Sequence, residues 1–82
     1  MNPLHFNILV DLRTVGKYGQ TLPRQLAMLR VSGHRNLTEP ELEKALRDLA
    51  DKSLVTNFPS ALGNKLWRIT SLGESALQEE GA

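Results

Sequence analysis

The side chains best suited to binding chemistry in this sequence are lysines and arginines in and around residues 38–52. Guanidinium and ammonium groups bind phosphate oxygens, and an arginine also recognises guanine through two parallel hydrogen bonds. Lys44 and Arg47 have the spacing to contact one polyanion from a helix. The same segment holds five acidic and three basic residues, and this balance opposes binding unless basic flanks compensate.

The two cations have a second interpretation as partners of acidic neighbours. Residues three or four positions apart face each other on a helix. Lys44 would then pair with Asp48, and Arg47 with Glu43 or Asp51. Such pairs are routine on solvated helix faces, so both interpretations stay open.

Five further cations are candidates for phosphate contacts. Arg24, Arg30 and Arg35 lie around a predicted second helix and turn, and Lys65 and Arg68 lie in a predicted hairpin. Contacts to phosphates position a protein without specifying a sequence, so the binding would be salt-sensitive and largely unspecific. The alternative is a scatter of side chains that keep the protein in solution.

Other chemistry has little support in the sequence. The chain has no cysteine, which removes disulfides, thiol catalysis and thiolate metal sites. His5 and His34 are isolated, and we expect surface or capping roles for them rather than metal ligation. No motif brings serine, histidine and aspartate together as a catalytic group. We therefore expect neither an enzyme nor a bound metal or cofactor.

Composition places the chain among ordinary globular domains. It has 82 residues, 40% of them hydrophobic and 23% charged, with a formal net charge of +1. That length predicts one domain over residues 1–82, with an ordered core over 1–77 and fraying over 78–82. No apolar run approaches the roughly 20 residues of a membrane span. We expect no membrane association and a cytoplasmic location.

Three helices are predicted in the first two thirds of the chain. The first spans Pro3 to Val15 behind an Asn2 cap, and the second runs from a Thr21 cap to about Val31. The third follows Thr38, which forms a capping box with Glu41, and continues to about Lys52.

A hairpin and a final helix are predicted after the third helix. Segments 54–58 and 65–70 have strand character, and residues 59–64 supply the turn. Trp67 is expected in the core. The last helix is predicted to begin at Ser71, with Glu74 completing a capping box. Its buried side is predicted to consist of Leu72, Ala76 and Leu77.

This order and these residues resemble the winged helix-turn-helix domain of small MarR-like and ArsR-like transcriptional regulators. Segment 41–55 is similar to their recognition helix and wing entry, with Leu49, Leu54 and Val55 matching and Ser53 standing where glycine is usual. Segment 67–77 is similar to the end of the wing and the final helix. The resemblance implies an α+β winged helix of three helices, a hairpin wing and a short C-terminal helix.

An apolar stripe on the first helix suggests a protein interface. With Leu4, Ile8, Leu12 and Val15 buried, Phe6 and Val10 lie near the opposite face. We expect a homodimer through Phe6, Leu9 and Val10, unless the C-terminal helix covers that face. Leu62 at the hairpin tip is either a protein contact or folded back onto the domain.

The resemblance implies a transcriptional regulator that binds double-stranded DNA with the third helix in the major groove. The expected contacts are Arg24, Arg35, Lys44, Arg47, Lys65 and Arg68. The alternative is a winged helix that serves protein assembly without DNA binding, because fold alone does not decide function.

Overall fold

The computed structural model describes all 82 residues as an α+β arrangement. Its elements are α1 (Pro3–Val15), a short 3₁₀ turn (Gly16–Tyr18), α2 (Leu22–Val31), α3 (Glu39–Asp51), β1 (Val55–Pro59), β2 (Lys65–Ile69) and α4 (Ser71–Glu79). The strands form an antiparallel hairpin. Four helices and a two-stranded hairpin in this order confirm the predicted α+β class and are compatible with a winged helix.

The first three helices begin where their capping residues predict. The side chains of Asn2 and Thr21 accept hydrogen bonds from the backbone amides of His5 and Arg24. At α3 both halves of the capping box are present, with Thr38 accepting from the Glu41 amide and Glu41 accepting from the Thr38 amide. The Thr38 hydroxyl also donates to Glu41 Oε1 at 2.7 Å, and this bond, followed by the one from the Thr38 amide, lowers the pKa of Glu41.

One residue outside the hairpin extends the sheet. Gln20 and Trp67 exchange both backbone hydrogen bonds, at 2.8 and 2.9 Å. β2 is therefore flanked by β1 on one side and, at Trp67, by Gln20 on the other. This pairing could not be predicted from the sequence, because a single bridging residue has no periodicity.

The core lies where the helices meet the inner face of the hairpin. Trp67 is buried there, as predicted, together with Val55 and Leu77. The buried hydrophobic side chains of the first three helices are all aliphatic: Ile8, Leu9, Leu12, Leu26, Leu29, Leu42, Ala45, Leu46 and Leu49. The four buried residues of α3 recur at helical spacing and form one face. No helix combines the length and the apolar character that a membrane crossing needs.

α4 begins at Ser71 as predicted, but its predicted cap is wrong by one residue. Thr70, rather than Ser71, is the N-cap, and its hydroxyl accepts a hydrogen bond from the Gly73 amide. The predicted burial is right for Leu77 and wrong for Leu72, which is exposed, whereas Gly73 is buried. Thr70 and Ser71 both carry a hydroxyl that can cap a helix, so the sequence does not distinguish between them. Packing against the hairpin decides which of the two is the N-cap.

Residues 78–82 continue the last helix and close it. α4 extends to Glu79, and the amides of Gly81 and Ala82 then return to the carbonyls of Gln78 and Leu77. The expected fraying of these residues concerns motion and stays a prediction.

The C-termini of α2 and α3 are closed by the same backbone motif. After α3, the Ser53 amide donates to Ala50 O and the Leu54 amide to Leu49 O, at 2.9 and 3.0 Å. This pair of bonds is the Schellman motif, which needs a left-handed residue at its centre. Gly33 occupies that position after α2, whereas Ser53 occupies it after α3 with φ +62°.

Ser53→Gly should therefore stabilise the protein. A left-handed conformation costs a non-glycine residue about 1–2 kcal/mol, and the entropy that glycine adds to the unfolded chain offsets part of the gain. We expect the free energy of unfolding in urea to rise by about 0.5–1 kcal/mol. Gly33→Ser is the reciprocal control and should lower it. A Ser53→Gly protein no more stable than the parent would contradict the assignment of strain to this residue.

The first turn of α4 packs directly on the chain that leaves α3. A Cβ added to Gly73 would overlap the Leu54 carbonyl oxygen and lie 2.7 Å from Cγ1 of Ile69. The overlap with Leu54 involves backbone, which cannot move aside without displacing the end of α3. Glycine is required here by space rather than by backbone conformation.

Gly73→Ala should destabilise the protein although alanine favours helices. Overpacking of this kind costs about 1–3 kcal/mol, more than the gain of up to about 1 kcal/mol in helix propensity. Urea unfolding would show the loss. Ser75→Ala, at an exposed position of the same helix, is the matched control and should leave stability equal or slightly higher. Equal stability of the two variants would exclude the close approach.

Candidate nucleic-acid interface

The turn between α2 and α3 fixes how α3 is presented. Residues 32–37 form a longer connection than the usual helix-turn-helix, but side chains hold it from two directions. Arg30 Nε donates to the Leu37 carbonyl oxygen at 2.9 Å, and Asn7 Nδ2 on α1 lies 2.9 Å from His34 Nε2. Leu37 is itself buried. Arg30 and His34 therefore have structural contacts within the turn.

The outward face of α3 carries the two cations that the sequence singled out. The side chains of Lys44 and Arg47 are 80% and 70% exposed. Lys44 Nζ lies 3.3 Å from Asp48 Oδ2, and Arg47 Nη2 lies 2.6 Å from Glu43 Oε1. The predicted pairing within the helix is thus present for both residues.

These ion pairs do not prevent the cations from binding another anion. An exposed pair at this spacing stabilises a helix by about 0.3–0.5 kcal/mol, and salt weakens it. A hydrogen bond to a charged group contributes about 1.5–3 kcal/mol where water is displaced. A phosphate can therefore replace the carboxylate, although the acidic side chain then remains nearby.

Lys65 lines a groove whose other side is the first turn of α2, and Arg24 follows the last α2 residue of that lining in sequence. The groove has a volume of about 330 Å³ and is lined by Thr21, Leu22, Pro23, Asn64 and Lys65. It lies between the N-terminus of α2 and the hairpin tip. Arg24 is exposed in the first turn of α2, which contains no acidic residue. This end of the interface is therefore positive.

Arg35 and Arg68 lie apart from that groove. Arg35 is exposed in the turn before α3, beside His34 and Glu41. Arg68 is three residues beyond Lys65 on β2, and alternate strand residues point to opposite faces. The structure places the Arg68 guanidinium over the Phe58 ring, whereas Lys65 Nζ lies near the Trp67 ring. The hairpin does not bring its two cations together.

The histidines add no binding chemistry. Burial, followed by the positive charge of Lys52, lowers the pKa of His5, with Asp48 opposing and Lys44 assisting. His5 is therefore neutral near pH 7. Nowhere in the structure do three or more histidine or acidic side chains converge as metal ligands would.

The interior between α1 and α2 contains polar groups that the sequence did not single out. Gln25 is fully buried, and its Nε2 donates to the Ile8 carbonyl oxygen at 3.5 Å. Gln25 Oε1 and Asp11 Oδ2 are buried acceptors without a partner. Burial raises the pKa of Asp11, and the side-chain amides of Gln25 and Gln20 oppose the rise only in part.

Asp11→Asn should stabilise the protein at neutral pH and lose that advantage in acid. The folded state holds the Asp11 proton more tightly than the unfolded chain, whose reference pKa is 3.8. The parent therefore gains stability relative to the variant as the pH falls through the raised pKa, and the gain is complete below the unfolded value. Urea unfolding of both proteins between pH 7 and pH 4 would measure the gap. A gap that is constant with pH would contradict the burial of the charge.

Most of the apolar surface predicted as an interface on α1 packs against other elements of the same chain. Leu9 is 0% exposed and belongs to the core, so its expected contact with a second copy is wrong. Phe6 and Val10 are half-buried against the same core, and α4 packs on α1. The spacing of apolar residues in α1 indicated one buried stripe, but α1 packs against neighbouring elements on more than one side. Leu62 is 89% exposed at the hairpin tip and does not fold back. The homodimer itself stays a prediction.

Comparisons with protein families, curated proteins and solved structures found no match to this chain.

Proposed function

We propose that this protein is a winged-helix domain that binds double-stranded DNA, with α3 in the major groove and the hairpin beside the phosphate backbone. The observation that carries the proposal is the outward face of α3. This face is polar and exposed, and the turn that precedes α3 is held in place by side chains of α1 and α2. Its biological setting would be a small transcriptional regulator, as in the winged-helix proteins that the sequence resembles.

The dimensions of α3 suit this role. Thirteen residues span about 20 Å, and the major groove of about 12 Å width admits a helix. Lys44 and Arg47 project from the side opposite the buried leucines, and a groove-bound helix directs that side to base edges. Both would exchange a carboxylate partner for DNA.

Phosphate contacts would come from both sides of α3. Lys65 lies at the α2–hairpin groove, Arg24 follows Pro23 of that groove in sequence, and Arg35 lies in the turn before α3. Together with Lys44 and Arg47, these three positions account for five of the six expected contacts. Arg68 lies on the other face of β2 and is left out of this set.

A salt titration with duplex DNA tests the proposal. Protein is titrated into a labelled random duplex at about 50 mM and about 200 mM salt, and anisotropy reports binding. We expect micromolar affinity at low salt that falls steeply at high salt. Replacing both Arg24 and Lys65 by alanine should remove two phosphate contacts and lower the slope of log affinity against log salt by about 2.

Two further variants make the test specific to the proposed face. Glu43→Gln removes a carboxylate that competes for Arg47, and we expect affinity to rise about twofold, the size of one exposed ion pair. Arg13→Ala removes an exposed arginine at the end of α1 and should leave the salt slope unchanged. No binding at tens of micromolar protein, or an equal loss in Arg13→Ala, would reject the proposal.

Protein assembly is the second candidate function. It is favoured by the exposure of Leu62 and by the carboxylate partners of both α3 cations. In this role α3 would present a neutralised polar face and the hairpin tip an apolar anchor. Absence of duplex binding in the titration above would favour it.

A further inference from the structure

The outer face of the sheet, turned away from the core, forms a second cationic surface. Thr56 and Phe58 of β1 pair with Arg68 and Leu66 of β2 on this face. The 3₁₀ turn packs beside β2. Between them runs a groove of about 380 Å³, whose lining includes Lys17, Thr56, Arg68, Thr70, Ser71 and Glu74.

The cations of this surface lie over aromatic rings and form no ion pair with Glu74, which lines the same groove. The Arg68 guanidinium carbon is 5.1 Å from the Phe58 ring centroid, and Lys17 Nζ is 5.6 Å from the Tyr18 ring centroid. Neither cation has a carboxylate oxygen within 4 Å, in contrast to Lys44 and Arg47. A cation over a ring keeps its charge and its outward N–H groups for another anion.

Tyr18 gives this surface an exposed aromatic ring. The residue is 76% exposed, far more than a ring that serves the core. It is followed by Gly19, whose backbone lies so close to Phe58 that an added Cβ would be 3.1 Å from the ring. Gly19 also has φ +74°, which favours glycine. The turn that carries Tyr18 is therefore held against the ring under Arg68.

We propose that this surface, defined by Lys17, Tyr18, Phe58 and Arg68, binds single-stranded nucleic acid. A base stacks on Tyr18, and the neighbouring phosphates contact Lys17 and Arg68. Aromatic stacking combined with backbone cations is the chemistry by which proteins bind single strands without sequence preference. A duplex keeps its bases stacked on one another, so it offers Tyr18 no free base. The inference does not rest on duplex binding by α3, because the two surfaces use different side chains.

The test compares an oligothymidylate of about 12 nucleotides with a duplex of the same length, by anisotropy at about 50 mM salt. We expect the single strand to bind at micromolar protein. Tyr18→Ala should weaken its binding about tenfold, within the range measured for loss of one stacked base. Tyr18→Phe keeps the ring and should stay within about twofold of the parent. Arg68→Ala should weaken binding and reduce its salt dependence.

Matched variants separate this surface from the α3 face. Arg47→Ala should leave single-strand binding unchanged, and Tyr18→Ala should leave any duplex binding unchanged. Emission of the buried Trp67 confirms that each variant is folded. The proposal is overturned by absence of single-strand binding at tens of micromolar, by an equal loss in Tyr18→Phe and Tyr18→Ala, or by a loss in Tyr18→Ala that is the same for duplex.

Discussion

The segment Ser53–Leu54 holds three elements in place at one point. Its amides close α3, with Leu54 bonding back to Leu49, while its carbonyl oxygens receive the chain that returns from β2. The Ser53 oxygen accepts from the Thr70 hydroxyl at 2.6 Å and the Leu54 oxygen accepts from the Thr70 amide at 3.1 Å. The same hydroxyl caps α4, whose Gly73 lies against Leu54. The end of α3, the base of the hairpin and the start of α4 therefore form one hydrogen-bonded junction.

This junction determines where the charges lie. Because the hairpin leaves α3 at a fixed angle, the two faces of the hairpin lie beside different parts of the protein. Lys65 lies beside the N-terminus of α2, and Arg68 lies beside the 3₁₀ turn. The left-handed conformation of Ser53 is maintained by these surrounding bonds, as expected for strain that the rest of a structure imposes. The positions of both Lys65 and Arg68 therefore depend on how α3 ends.

Local signals predicted most of the fold, and non-local packing accounts for what they missed. Asn2, Thr21 and Thr38 cap their own helices, and the α3 leucines recur at helical spacing, so sequence alone placed them. The bridge at Gln20 and the choice of Thr70 over Ser71 depend on chain segments far away in sequence. Leu9 was misassigned because one stripe cannot reveal a helix that packs on more than one side.

The candidate site was predictable as a set of residues but not as a geometry. The spacing of Lys44 with Asp48 and of Arg47 with Glu43 indicated the ion pairs correctly. Which element each cation lies beside was not predictable, because Lys65 lies beside the N-terminus of α2 and Arg68 beside the 3₁₀ turn through packing between segments far apart in sequence.

The bridge at Gln20 also bears on how the protein avoids association through its sheet. An open strand edge is a template for pairing with another chain, and folds protect such edges by covering or shortening them. β2 is bridged on its second side at Trp67, the middle of the strand, so the longer uninterrupted edge is that of β1. β1 has five residues and ends in Pro59, which has no amide hydrogen to donate. One bridging residue and one proline thus leave little edge on which an intermolecular sheet could grow.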